Sequence, residues 1–378
     1  MDALKQVEPT ALVYVILTAL VLLLSARIDN RELLPLSPGL QSRQQRYNRI
    51  AIIGIYLLLT GVSACRIAVG NDYWGYRKSF DIIAQDRYVS FESGFNFIVK
   101  AVYAVFGYSN YLPVFALFSI VTVLFFVLAL RTQGRFFAFS LFLLMTGGFY
   151  FNSLNSIRYY LALAVALYAI RYIFSADYLH FAVLIFLGMF FHKSVLLVVP
   201  VYLVTWILAN LKYRKWMLPV GGILGAGFLG SLLFGQELYR KLIFRFYPYY
   251  EGSVFDNGDI SYVNILRCAA VLVLCGICFQ QFFGKNARLR FYGLLSLWGL
   301  IVYLCGSFIP TTSRIGYYMI IPQIFLIPEL VEGCEKEGLR RLLRVGVVAG
   351  FLLYFAFFIV QMYDEGVKLL PYRNWIFQ

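Results

Sequence analysis

Several guanidinium groups in this chain interrupt apolar sequence, and a histidine stands near one of them. Arg158 follows Asn155 at the head of one apolar run, Arg66 and Arg267 lie within others, Arg314 precedes a fourth, and Arg245 sits in a polar, aromatic segment. Guanidinium groups gathered in one place repel one another unless an anion lies between them. Their planar fork of donors suits phosphate or pyrophosphate. An imidazole ordinarily changes charge near neutral pH, so His192, one of two histidines in the chain, is a candidate to accept a hydroxyl proton. Asp72 and Glu92 are the competing bases, and either can instead orient an arginine.

Each of these residues also has a plain structural reading. An arginine at a helix end commonly extends its charge to the lipid headgroups, and a lone histidine is usually part of a packed interior. Arg158 is harder to dismiss, because Ala162, Ala166 and Ala169 continue its helical face. Small residues mark close helix packing, which turns that guanidinium toward protein or a cavity and away from lipid. Arg267 has Asn264 three residues earlier on the same face. The segment Arg245-Phe246-Tyr247-Pro248-Tyr249-Tyr250 either stacks on sugar rings or forms an aromatic belt.

The elements that must carry these residues follow from composition. Of 378 residues, 61% are hydrophobic and only 14% charged, and apolar runs of roughly 20 residues recur along the chain. Lipid leaves a bare backbone unsatisfied, so each run reads as a helix, and no run alternates as a barrel strand does. The expected class is all-α, a polytopic transmembrane bundle. Twelve spans are expected near residues 11–26, 50–69, 111–130, 136–151, 155–174, 178–191, 194–210, 217–234, 261–283, 291–309, 315–331 and 345–362. The chain reads as one membrane domain over 1–378, with an interfacial or re-entrant segment at 70–110 and a loop at 235–260. No small-residue cleavage site follows the first run, which reads as a retained helix and not as a signal peptide. The net charge of +14 comes from Lys and Arg that punctuate apolar runs, and no basic module points to nucleic acid. Of six cysteines, five lie in apolar runs without metal-ligand spacing, so neither a metal nor another cofactor is expected.

Basic residues cluster in alternate short loops, among them Arg43 and Arg46, Arg131 and Arg135, Lys212 to Lys215, and Arg340 to Arg344. Placing those loops in the cytoplasm sets both termini outside. The stretch 94–107, about fourteen residues long, is too short to span and fixes this parity. Arg66, Asp72, Glu92, Asn155, Arg158, His192, Arg245, Arg267 and Arg314 then share the extracytoplasmic side.

Arg66 with Gly70-x-Asp72-Tyr73, then Glu92-x-Gly94-Phe95, Asn155-x-Ile157-Arg158 and Phe191-His192-x-Ser194, resembles the EpsG-type, Wzy-like exopolysaccharide polymerases. Arg314 with Tyr317 and Tyr318, and the pair Pro371-Tyr372, are similar to that family's last elements. Tyr159 stands where the family commonly has Gln, and Asn71 where Thr is frequent. The resemblance implies polymerisation of undecaprenyl-pyrophosphate-linked oligosaccharide on the outer face of a bacterial inner membrane, in a fold similar to lipid-dependent, metal-free glycosyltransferases. The growing chain would pass from its carrier to the non-reducing end of an incoming unit, with inversion. His192, Arg158, Asp72 and Glu92 are then the expected catalytic residues. Arg66, Arg158, Arg314, Arg267 and Arg245 are the expected pyrophosphate ligands, and Asn155, Tyr73 and Tyr249 the expected sugar contacts. Membrane lipid, a chain-length regulator and a flippase are the implied partners. A glycan ligase would use the same groups. A flippase would need polar groups through the whole bilayer, and the inner halves of these spans are nearly all apolar.

Overall fold

The computed structural model describes residues 9–32, 42–107, 110–211, 234–246, 260–282, 286–308, 312–364 and 367–376, together with isolated positions between 227 and 284. Among these residues the structure is helical, and its only extended pairing is an isolated bridge between Arg66 and Asn374. Seven helices are long and apolar enough to cross a membrane, and five shorter apolar helices accompany them. The chain is thus a multi-pass helical membrane protein. The expected span 217–234 lies largely outside the described residues.

The described chain falls into two compact units, Met1–Leu196 with Glu335–Gln378, and Leu197–Cys334. Neither boundary carries a Pro/Gly/Ser-rich linker. The first unit contains α1 (Pro9–Ser25), α2 (Arg43–Ala64), α3 (Tyr73–Ala84), α4 (Ser93–Phe106), α5 (Leu112–Gln133), α6 (Phe137–Thr146), α7 (Phe149–Asn152), α8 (Ile157–Phe174) and α9 (Tyr178–Met189). The second unit begins with α10 (Val198–Asn210).

Local chemistry sets the helix limits more than apolarity does. α2 starts several residues before its apolar run because Ser42 and Gln45 form a capping box: Ser42 Oγ accepts from Gln45 N (3.0 Å) and Gln45 Oε1 from Ser42 N (3.1 Å). It ends at Ala64, so Arg66 lies beyond the helix, where the hydropathy pattern had placed it inside the span. The run 136–151 is two helices, broken where Gly148 takes φ +77°.

α8 is the central helix of the first unit, packed against both α5 and α9, and Ala162, Ala166 and Ala169 are all buried in it. α3 and α4 form a hairpin fastened to α5 and α8 by buried aromatic residues. Phe80, Phe95, Phe115 and Phe118 share this cluster with Ile157 and Leu161, and Tyr73 stacks on Phe115 at 4.3 Å. At 14 residues α4 is short of the roughly 20 needed to span. Burying each ring contributes about 1.5–3 kcal/mol, enough in sum to hold two short helices that would not persist alone.

Candidate active site

Three helices of the first unit begin at one place, and their first residues are joined to one another by hydrogen bonds. Asp72 precedes α3, yet its carboxylate does not cap that helix. It turns to the head of α8, where Ser156 Oγ donates to Asp72 Oδ2 (2.5 Å) and Asp72 N donates to Asn155 Oδ1 (2.9 Å). Gly70 makes this approach possible. Its φ is +97°, and a Cβ there would lie 2.9 Å from Asn155 Cα.

Glu92 precedes α4 and likewise leaves its own helix uncapped. Arg158 Nη1 donates to Glu92 Oε2, and Lys193 N donates to Glu92 Oε1 (3.1 Å). The side chains of this ion pair retain 15% and 12% exposure, so a ligand can reach them. The Arg158 guanidinium lies 3.7 Å over the Phe91 ring, while its buried Nε makes no hydrogen bond. Gly94 lets α4 meet the turn after α9: a Cβ there would stand 2.6 Å from Phe190 Cβ, and Phe95 N donates to Phe190 O (3.2 Å).

His192 sits on that turn. Its Nδ1 lies 2.6 Å from Ser194 Oγ and accepts from Ser194 N (3.3 Å). The Tyr159 ring meets His192 edge to face at 5.4 Å.

The site is therefore an arginine–glutamate pair and an aspartate set among the positive ends of α3, α4 and α8. Helix N-termini and a guanidinium attract anions, and the carboxylates balance that charge when no ligand is bound. A protein-family model described as the EpsG family matches residues 49–374. The chain belongs to the EpsG family. The matched region runs from within α2 to Asn374 and includes every residue of this site. Neither a curated protein nor a solved structure matches the chain.

Two of the expected site residues of this EpsG-family chain have other duties. Arg66 is fully buried, and Nε donates to Leu154 O (3.0 Å) and Nη1 to Ser119 Oγ (2.8 Å) and Ser63 O. Burial lowers its pKa to about 10, offset in part by the tyrosines around it, so it stays charged. Its third nitrogen, Nη2, is buried without a hydrogen-bond partner among the described residues. Tyr73, expected against a sugar, is buried with its ring on Phe115. The exposed aromatic beside it is Trp74, with Arg77 5.3 Å over its ring.

The remaining expected residues belong to the second unit. There α11 (Gln236–Phe246) carries Arg245, exposed in its last turn, and α12 (Tyr262–Ile277) carries Arg267. After the short α13 (Phe279–Phe282) and α14 (Ala287–Leu304), α15 (Thr312–Ile320) carries the half-buried Arg314. Arg267 Nε donates to Oε1 of Gln323 (3.1 Å), which opens α16 (Gln323–Glu332) and whose Nε2 donates to Ser296 Oγ (3.2 Å). Tyr249 lies outside the described residues. Sequence reasoning passed over Ser156, Phe91 and Gln323, and named Ser194 only as the end of a motif. The one available signal was position: Ser156 stands between Asn155 and Arg158, and Phe91 directly before Glu92.

Proposed function

We propose that this chain is a polysaccharide polymerase that moves a growing glycan from undecaprenyl pyrophosphate to the non-reducing end of a lipid-linked repeat unit. The reaction takes place on the extracytoplasmic face of the inner membrane. The carrying observation is the mostly buried but still accessible Arg158–Glu92 pair set among three helix N-termini. Family membership supports the same reading. Arg158 and the backbone N–H groups at those helix starts stabilise negative charge developing on the departing pyrophosphate, each such donor contributing about 2.7–4 kcal/mol to the transition state.

Asp72 is the base that takes the acceptor hydroxyl's proton. Both Glu92 oxygens accept from protein donors, whereas of Asp72's two oxygens only Oδ2 does among the described residues, from Ser156. His192, on the turn beside Glu92's partner Lys193, contacts the substrate, and Asn155 orients Asp72. Attack from the face opposite the leaving group inverts the anomeric centre. A chain-length regulator and a flippase are the partners this role implies.

The test is incubation of the purified protein in liposomes with a lipid-linked repeat unit. Longer lipid-linked glycans are the expected product. Transfer only to a different acceptor would make it a ligase, and transbilayer movement without elongation a flippase.

A further inference from the structure

The loop that brings Asp72 to its partners is held from behind by a segment distant in sequence. Residues 367–375 run antiparallel to residues 65–71 after the last helix, α17 (Glu337–Gln361). Ile67 N donates to Arg373 O (2.9 Å), Gly70 N to Lys368 O (2.7 Å), Asn71 N to Val367 O (3.3 Å), and Trp375 N to Cys65 O (3.0 Å). Side chains fasten the same segment: Tyr372 Oη donates to Val62 O (3.0 Å), and Tyr14 Oη of α1 donates to Leu369 O (2.8 Å). Leu369, Leu370 and Tyr372 are buried.

The held loop is not one that would keep this shape alone. Ala68 has φ 55°, a left-handed conformation that is costly for a residue with a Cβ unless the surroundings hold it, and Gly70, at 97°, supplies the freedom for the turn beside it. On its other side the loop presses on the head of α8, through Arg66 on Leu154 O and Gly70 on Asn155. Asp72 is the residue at which this clamped loop ends.

We propose that residues 367–375 are a positioning strap: they fix the 66–72 loop against α8 and so set where the Asp72 carboxylate meets the acceptor hydroxyl. The strap touches no substrate. The inference rests on Asp72 being the base of the reaction proposed above, and its test is built to separate the two claims.

The strap is loosened by Tyr14→Phe combined with Tyr372→Phe, which removes both fastening hydroxyls and keeps both rings. Amide hydrogen exchange at Ile67, Gly70 and Asn71 is expected to quicken about tenfold or more. In liposomes kcat for elongation is expected to fall about tenfold, with KM changed by less than about twofold. In an Asp72→Glu background, whose carboxylate is already displaced, the same pair is expected to cost less than about a further twofold. Losses that multiply in full, or a kcat unchanged while exchange quickens, would overturn the positioning role. Unchanged exchange would overturn the strap itself. If the wild-type protein fails to elongate at all, the polymerase reading fails, and the exchange measurement alone then decides whether the strap exists.

Discussion

At the residue scale, the Arg158–Glu92 pair separates charge from shape. Lysine at 158 keeps the charge but loses the plane that lies on Phe91 and the fork of donors. Arg158→Lys is therefore expected to lower elongation by about 10²–10³-fold at unchanged membrane abundance, measured in the liposome assay. Asp72 and His192 are expected to respond differently. Asp72→Asn should abolish elongation at every pH, since a carboxamide accepts no proton. His192→Ala should leave slow elongation, because a substrate contact is lost and the base is kept. If the histidine variant were the inactive one, the base assignment would be reversed. The residue types of this site were legible in the sequence, because charged groups in apolar runs are costly and so conspicuous. Their duties were not: Arg66 and Arg158 look alike in the chain, yet one is sealed among protein acceptors and the other still accessible.

At the element scale, the site depends on how closely helix starts approach one another. Gly94→Ala would place a methyl group 2.6 Å from Phe190 Cβ. The turn must then retreat, and Lys193 N with it, away from Glu92. A loss of about 1–3 kcal/mol is expected, read as a lower unfolding midpoint of the solubilised protein together with slower elongation. Phe95→Ala tests the α3–α4 hairpin as a unit. Removing a fully buried ring costs about 3–5 kcal/mol, and limited proteolysis is expected to cut the 85–92 connection faster than in the wild type. Helix existence was readable from apolar runs and helix type from their length. α3 was not, because Tyr73–Ala84 mixes aromatic and charged residues and is a helix only through what it packs against. The start of α2 was hidden for another reason, since it is fixed by a two-residue cap and not by hydropathy.

At the scale of the whole molecule, the sidedness drawn from basic loops makes a prediction independent of catalysis. Tyr88, in the connection between α3 and α4, is 90% exposed. In a Cys65→Ser background, Tyr88→Cys is expected to react with a membrane-impermeant maleimide in intact spheroplasts. Labelling only after permeabilisation would put the site in the cytoplasm and remove the basis for a lipid-linked, extracytoplasmic substrate.

By itself the sequence determined the class: apolar runs about as long as a bilayer core is thick leave the backbone no alternative to helices. It also carried the ordered motifs, from Arg66 to Tyr372, that mark the family. Tertiary structure alone decided which polar groups meet. Arg66 with Leu154, Asp72 with Ser156 and Val62 with Tyr372 are pairs separated by 88, 84 and 310 residues. Helical periodicity relates a residue to neighbours three or four positions away, so contacts at these separations exist only once the helices have packed.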